Sequence, residues 1–531
     1  MRFFNTAGPS VATEHYCLDP LRRLRIDEIL SLIETKRYFV LHAPRQTGKT
    51  TCLLALMKYL NDSGRYRSLY INVEAAQTAR DNVEEGMKTI LSAFSSRLEM
   101  AFGDSPFTGK IALTVAEVGA NGALEHAVRT WTAQDPGRPS VLLLDEIDSL
   151  VGDTLISVLR QIRAGYADRP GNFPQSVVLC GVRDVRDYRI QSGNQEIITG
   201  GSAFNIKAKS LRLGNFNSDD IRDLYGQHTT ETGQSFAEEI FTRLWLDTAG
   251  QPWLVNALGQ ELCFETPEGK DRSRPLTVDQ YREARERLIQ RRDTHLDQLT
   301  DKLREERVYR VISPILAGEG ALSRVPTDDL QYVEDLGLIT LQPGIAIANG
   351  IYAEVIPREL TWSSQMMIPQ ETAWYVAPDH RLDFPKLLRA FQQFYLENCE
   401  VWLERFQYKE AGPHLLLQAF LQRIINGGGR LNREYGLGRG RTDLFIEWPL
   451  DAEQGYHGPL QRIIFELKVV HGSREKTIAQ GLSQITKYAV RCRADECYLV
   501  LFDRSVGVIP EAKLFEETRE YEGRTIMVWG M

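Results

Sequence analysis

Long apolar runs are missing from this 531-residue chain. No stretch of about 18 uncharged apolar residues occurs, so no membrane-spanning helix and no membrane partner are expected. The opening Met1-Arg2-Phe3-Phe4-Asn5-Thr6 lacks the apolar core of a secretory leader, which points to the cytoplasm. Cysteine is sparse: seven residues, at 17, 52, 180, 263, 399, 492 and 497, with no Cys-x-x-Cys pair. That spacing argues against a zinc ribbon or a disulfide framework and fits a reducing compartment. A basic overall balance is absent too, the net charge being −8, so any nucleic-acid contact must come from local patches. What remains is an ordinary globular composition, 43% hydrophobic and 25% charged, in a chain too long for one core.

The most informative stretch is Ala43-Pro44-Arg45-Gln46-Thr47-Gly48-Lys49-Thr50-Thr51. An apolar run, Tyr38 to Leu41, precedes it, and a helical pattern from Cys52 to Met57 follows. Strand, tight loop, Gly-Lys-Thr and helix is the layout of a phosphate-binding loop. Its backbone N–H groups and the helix N-terminus face the anion. Lys49 is expected to reach the β- and γ-phosphates of ATP and Thr50 to hold Mg²⁺. Ala43 stands where the motif ordinarily has its first glycine. Upstream, residues 15–20 and an amphipathic helix from Ile26 to Ile33 either cover the base or form a structural cap.

A second signature lies some 95 residues on. Ser140 to Leu144 is an unbroken apolar run ending in Asp145-Glu146, which predicts a strand buried on both faces of a parallel sheet. At such a strand tip Asp145 would hold Mg²⁺ and Glu146 would polarise the attacking water. Arg160 and Arg163 on the next helix are either surface charges or a finger into a neighbouring subunit. Ser176 to Val182 reads as another buried strand, ending on Arg183, which could sense a phosphate by bidentate pairing. Ala249-Gly250-Gln251-Pro252 opens a further helix.

Together these residues resemble the STAND branch of AAA+-related ATPases, over roughly residues 10–360. The resemblance implies a parallel-sheet P-loop ATPase domain (1–265), with Pro252 near the adenine, and a helical and winged-helix domain (266–361) that closes over bound nucleotide. It also implies a nucleotide-driven switch, often coupled to homo-oligomer formation. In the winged-helix segment Asp328-Asp329-Leu330-Gln331-Tyr332-Val333-Glu334-Asp335 reads as a short helix, and residues 341–349 as the wing hairpin. Four carboxylates and no Lys or Arg on that helix would be repelled by a phosphate-lined groove. An intramolecular regulatory role is therefore expected rather than DNA reading. Residues 362–395 read as a linker.

The last part, 396–531, carries a different chemistry. Pro413 to Ile425 is an apolar helical pattern, and a polar turn leads into a strand starting at Asp443. Ile463-Ile464-Phe465-Glu466-Leu467-Lys468-Val469 is a second strand, with Glu466 and Lys468 on one face. Asp443 and Glu466 offer hard oxygen ligands for Mg²⁺ or Mn²⁺, and Lys468 could orient or activate water at a phosphodiester. On the following helix Gln484 and Tyr488, four apart, share a face. These residues resemble the RecB-like subset of the PD-(D/E)xK nucleases, whose core is an α/β restriction-endonuclease-like domain. Thr442 stands in place of the proline. The resemblance implies catalytic roles for Asp443, Glu466, Lys468, Gln484 and Tyr488. A first-helix acid, Glu410 or Glu434, would complete the site. From residue 421 to 493 twelve Lys and Arg face seven Asp and Glu. Arg433, Arg439, Arg441, Arg474, Lys476 and Lys487 could line a phosphate track, whereas nothing assigns His457 or His471. The expectation is an ATP-dependent switch on a metal-dependent nuclease that cleaves nucleic acid, DNA before RNA, in a mobile-element or defence setting. The alternative is an ATPase scaffold or signalling switch whose nuclease fold is silent and binds DNA or a protein.

Overall fold

A computed structural model describes residues 1–184, 189–191, 197–199, 204–291, 301–316, 325–357, 375–405, 416–418, 420–421, 429–437, 440–451, 458–470, 473–503 and 513–531. For 189–191, 197–199, 396–405, 430, 432–437 and 440–443 only the backbone is described. Two compact units emerge, residues 1–293 with 331–339, and residues 294–330 with 340–531. No helix among the described residues is long and apolar enough to cross a membrane.

The first unit is built on five parallel strands: β1 (Tyr38–His42), β2 (Arg67–Asn72), β3 (Ser140–Asp145), β4 (Ser176–Gly181) and β5 (Lys207–Arg212), in the order β2-β3-β4-β1-β5. All six residues of β3 and all six of β4 are buried, as expected for central strands covered on both faces. One face carries Leu142, Leu144, Val177 and Leu179 against the helices Val83–Phe102, Ala120–Ala133 and Gly152–Ala164. The other carries Val141, Leu143, Val178 and Cys180 against α1 (Ile26–Glu34) and α2 (Lys49–Asp62). Alternation along each strand thus sends successive apolar side chains into two separate cores.

A helical part follows: α3 (Ser218–Thr232), α4 (Glu238–Thr248), α5 (Pro252–Gln260) and α6 (Val278–Arg291). The turn before α5 needs glycine. Gly250 has φ +71°, and a Cβ there would lie 1.9 Å from the Phe216 carbonyl oxygen. Pro252 then starts α5 at a position with no helical N–H to satisfy. The chain's N-terminal segment is tied to this part. Phe4 lies against Gly259, Trp253 Nε1 donates to the Thr6 carbonyl at 2.9 Å, and Tyr16 Oη meets His228 Nδ1 at 3.2 Å.

In the second unit, α7 (Glu306–Leu316) precedes α8 (Thr327–Asp335), and β6 (Ile339–Thr340) and β7 (Ala346–Ile347) form a two-stranded sheet. Helix α8 and β6 straddle the boundary between the two units. After α9 (Phe384–Arg405) comes a six-stranded mixed sheet: β8 (Arg430–Leu437), β9 (Gly440–Pro449), β10 (Leu460–Val470), β11 (Glu496–Asp503), β12 (Phe515–Tyr521) and β13 (Arg524–Gly530). The order is β8-β9-β10-β11-β13-β12, with β8, β9 and β10 antiparallel in turn and β11 parallel to β10. Helix α10 (Arg474–Cys492) makes the crossover from β10 to β11. It sits close because of Gly481, where a Cβ would lie 2.4 Å from Leu499 Cδ1. The polar turn expected before Asp443 is instead most of a strand. Arg433 and Tyr435 pair with Leu444 and Thr442 in the β8–β9 hairpin. Cross-strand pairing overrides the weak local propensity of this Gly- and Arg-rich stretch.

Candidate functional site

Residues Ala43 to Gly48 bridge the C-terminal end of β1 to the start of α2, at the sheet edge where parallel α/β folds bind ligands. Ala43 is fully buried and its N–H donates to the Gly181 carbonyl at 3.2 Å, tying the loop to β4. This bond fixes the loop start without glycine. Gln46 and Gly48 adopt the left-handed conformation, φ 57° and 85°. Thr47 is buried and its hydroxyl donates to the Pro44 carbonyl at 2.8 Å. Arg45 and Gln46 are exposed.

Lys49 is buried, and its Nζ donates to the carbonyls of Ala43 and Pro44 at 3.0 and 3.1 Å. Among the described residues no carboxylate reaches it within ion-pair distance. A buried ammonium held only by neutral carbonyls is incompletely compensated, since burying a charge costs several kcal/mol (order of magnitude). A phosphate group would supply the missing charge. Thr50 Oγ1 donates to Asp145 Oδ2 at 2.7 Å. The hydroxyl and carboxylate expected to hold Mg²⁺ are therefore side by side, and their hard oxygens suit that ion.

Glu146 follows in the left-handed conformation, φ 57°. Burial pushes its carboxyl above the ordinary range, with Asp145, Asp148 and Glu74 adding to the rise and Lys49 opposing it. Backbone of this kind is uncommon outside glycine and collects at functional sites. Strand β4 lies between β1 and β3, so Arg183, two residues beyond β4, stands between the loop and Asp145 in strand order. Its guanidinium lies over the Tyr332 ring at 4.8 Å. Arg212, at the end of β5, donates to the Glu334 carbonyl at 3.0 Å and pairs with its carboxylate at 3.4 Å. A Cβ at Gly337 would lie 2.8 Å from the Pro44 side chain. Residues 331–339 therefore cover the tips of β1, β4 and β5 beside the loop.

Beside the loop is a cavity lined by Thr6, Tyr16, Arg23, Gly48, Thr51, Phe216, Pro252 and Trp253, among others. It brings the N-terminal segment, the loop and the Gly-x-Pro turn to one place, so Pro252 and Thr51 share it. Arg160 is exposed on its helix. Two contacts were hidden from sequence reasoning. Tyr70 Oη donates to Asp145 Oδ2 at 3.0 Å, across 75 positions of sequence, and Arg23 lies against Gly48. Only the alternation of Tyr70 and Asn72 on an apolar strand could have flagged the first. These features make the first unit a P-loop nucleotide-binding fold.

The second site lies on β9, β10 and α10. Leu444 of β9 pairs with Phe465 of β10, and the side chain of Asp443, one residue before Leu444, lies outside the described residues. Glu466 is 3% exposed, and Lys468 Nζ donates to its Oε1 at 2.7 Å. Ile464 and Val470 on the same face pack with Ile478, Leu482 and Ile485 of α10. Glu466 and Lys468 therefore share the sheet face that α10 covers. Gln484 and Tyr488 are half-buried on that helix. Glu410, His457, His471 and most of the Pro413–Ile425 helical pattern lie outside the described residues, as do the side chains of Glu434, Arg433, Arg439 and Arg441. Arg474 stacks on Phe515 at 3.8 Å, and Lys487 is exposed.

No protein-family model matches the chain, and no curated protein matches it. Solved structures do. The Walker-type ATPase paby2304 of Pyrococcus abyssi is 14% identical over 66% of this chain and 99% of its own, with a TM-score of 0.43. Cdc6p from Pyrobaculum aerophilum is 16% identical, covering 66% and 97%, at 0.35. The RuvB Holliday junction branch migration motor of Thermotoga maritima is 13% identical, covering 63% and 94%, at 0.33. At these scores the likeness adds nothing to what the loop geometry and strand order establish.

Proposed function

We propose that the chain is an ATP-hydrolysing switch of the STAND/AAA+ type that controls a metal-dependent PD-(D/E)xK nuclease acting on nucleic acid, DNA before RNA. The observation that carries the reading is the presence of two buried polar clusters in one chain. Lys49, Thr50, Asp145 and Glu146 gather at the loop, and on β10 Lys468 pairs with the buried Glu466, with Asp443 supplied from the neighbouring strand β9 in this reading.

Bound Mg²⁺ would supply charge neutralisation for the phosphates and, at the second site, a Lewis acid for phosphodiester hydrolysis. Thr50 and Asp145 would hold it in the first, Asp443 and Glu466 in the second, where Mn²⁺ also fits the donor set. The chain's own residues do the rest. Lys49 exchanges its carbonyl partners for phosphate oxygens, and Glu146 orients water for attack on the γ-phosphorus. Lys468 positions the nucleophile at the scissile phosphate, with Gln484 and Tyr488 holding the helix side of that site.

Helix α7, helix α8 and the β6–β7 hairpin support a winged-helix reading, and α8's acids serve intramolecular bonds. Asp329 takes Arg307 and Arg310 at 2.7 and 3.0 Å, and Glu334 takes Arg212. The module thus acts as a brake, with residues 331–339 holding Arg183 and Arg212 away from nucleotide until ATP shifts the population to an open state that assembles as a homo-oligomer. Tyr332→Leu, which removes the ring under Arg183 and keeps apolar bulk, is expected to raise basal ATP turnover roughly 2- to 30-fold, the range spanned by a cation–π contact. A steady-state phosphate-release assay checks this, and an unchanged or lower rate counts against the brake.

The test of the whole reading is cleavage of single- and double-stranded DNA and RNA by purified protein, with Mg²⁺ or Mn²⁺, with and without ATP. Metal-dependent cleavage that ATP stimulates is expected, and Lys49→Ala should abolish the stimulation. Cleavage indifferent to Lys49→Ala removes the coupling, and no cleavage in any condition moves the reading to a scaffold with a silent nuclease fold.

A further inference from the structure

The nucleotide cavity contains one cation that the reading above leaves without a task. Arg23 and Arg22 are neighbours in sequence with different surroundings. Arg22 reaches Asp220 and Asp223 at 3.8 and 3.4 Å. Arg23 has no carboxylate within ion-pair distance among the described residues. Its Nη2 donates to the Gly214 carbonyl at 2.9 Å, and its guanidinium lies over the Phe216 ring at 4.8 Å. The other arm abuts the phosphate loop, for a Cβ built at Gly48 would lie 2.9 Å from Arg23 Nη1. Burial lowers the Arg23 pKa, with Cys52 and the more distant Asp220 opposing the fall, so the charge is held in this place at a desolvation cost with no ion-pair partner among the described residues.

Position decides what would offset it. Gly48 begins α2, and the N–H groups that follow it are the ones that face phosphates in such a loop. The same cavity is lined by Tyr16, Pro252 and Trp253 and by Gly48 and Thr51 of the loop and α2. Arg23 lines it as well, beside the loop rather than at the tips of β3 and β4, where Asp145 and Arg183 mark the terminal phosphate. A nucleotide whose base occupies the cavity and whose β-phosphate occupies the loop passes its α-phosphate by Arg23. The planar fork, already oriented by Gly214 and Phe216, suits two oxygens of that group.

Resting on the nucleotide-site reading, we infer that Arg23 binds the α-phosphate of the nucleotide, the group that mono-, di- and triphosphates share. It would anchor ATP and ADP alike, whereas Arg183 would respond to the terminal phosphate alone.

The experiment is titration of the full-length protein and its R23Q and R23K variants with ATP, ADP, AMP and adenosine, by calorimetry with fluorescent-nucleotide competition. R23Q is expected to weaken ATP, ADP and AMP by the same factor, about 10- to 100-fold, and to leave adenosine unchanged. R23K, which keeps the charge and loses the fork, should fall between. Thermal melting without nucleotide reports whether each variant folds, and R23K carries the comparison if R23Q does not. Equal affinities in wild type and variants overturn the inference. So does a loss confined to ATP, which would place the contact on the γ-phosphate, and an equal loss for adenosine, which would place it on the base or ribose. Failure of the wild-type protein to bind ATP at all would instead overturn the nucleotide-site reading itself.

Discussion

Glu146→Gln is expected to lower kcat for ATP hydrolysis by about 10²- to 10³-fold while changing ATP affinity by no more than about threefold. The amide keeps the size and the left-handed backbone site but cannot take a proton from water. Lys49, Thr50 and Asp145 remain, so binding persists. Burial together with Asp145, Asp148 and Glu74 raises the Glu146 carboxyl above the ordinary range. The basic form is therefore lost at a higher pH than for an exposed glutamate, and the acid limb of the wild-type rate profile should lie above the usual carboxylate region. Single-turnover hydrolysis alongside nucleotide titration separates the two effects. A normal kcat in the variant would assign the water to another group, and a large loss of affinity would make Glu146 a ligand-binding residue instead.

Removing the second site's charges should separate catalysis from stability. Glu466→Ala is expected to reduce metal-dependent cleavage by at least about 10³-fold, because it deletes one of the two carboxylates assigned to the metal in this reading. That result alone does not distinguish a ligand from a structural ion pair, since stranding Lys468 beside a buried surface has its own cost. The double variant Glu466→Leu/Lys468→Met does. Glu466 is almost fully buried on a face that also carries Ile464, Leu499 and Ile485. Replacing a buried pair by apolar side chains of similar volume is commonly neutral or stabilising by about 1–4 kcal/mol. The double variant should therefore melt at or above the wild-type temperature and cleave nothing. A clear fall in melting temperature would mean the pair is there for the fold. Retained cleavage would remove Glu466 and Lys468 from the chemistry.

These expectations differ in how far the sequence alone supports them. The loop needed little tertiary information. Contiguous Gly48-Lys49-Thr50 after an apolar strand dictates a turn with free N–H groups, and β1 and α2 fall where the pattern places them. Strands β3 and β4 were equally legible, because six consecutive buried positions require apolar residues throughout. The substitution of Ala43 was visible, but the bond from its N–H to Gly181 was not. On the C-terminal side, alternation in Ile463 to Val469 put Glu466 and Lys468 on one face, and their 2.7 Å contact follows from that. Strand β8 reads from sequence as a polar turn, since Arg, Asn, Glu and Gly have weak strand preference and the hairpin with β9 holds them extended.

By itself, then, the sequence determined the local chemistry of this protein. It placed a phosphate loop, an Asp-Glu pair ending a buried strand, and a Glu-x-Lys strand followed by a helix, each specified by neighbours along the chain through backbone geometry and side-chain period. Tertiary structure alone decided which distant groups meet them. Tyr70 reaches Asp145 because β2 and β3 are adjacent and in register. Arg183 lies over the Tyr332 ring, and Arg23 against Gly48, because separate segments converge on one sheet edge. Glu466 and Lys468 come under α10 because Ile464 and Val470 on their face pack against that helix. Such contacts depend on strand order, register and helix docking, which are set by burial summed over whole cores, and no short stretch of sequence encodes them.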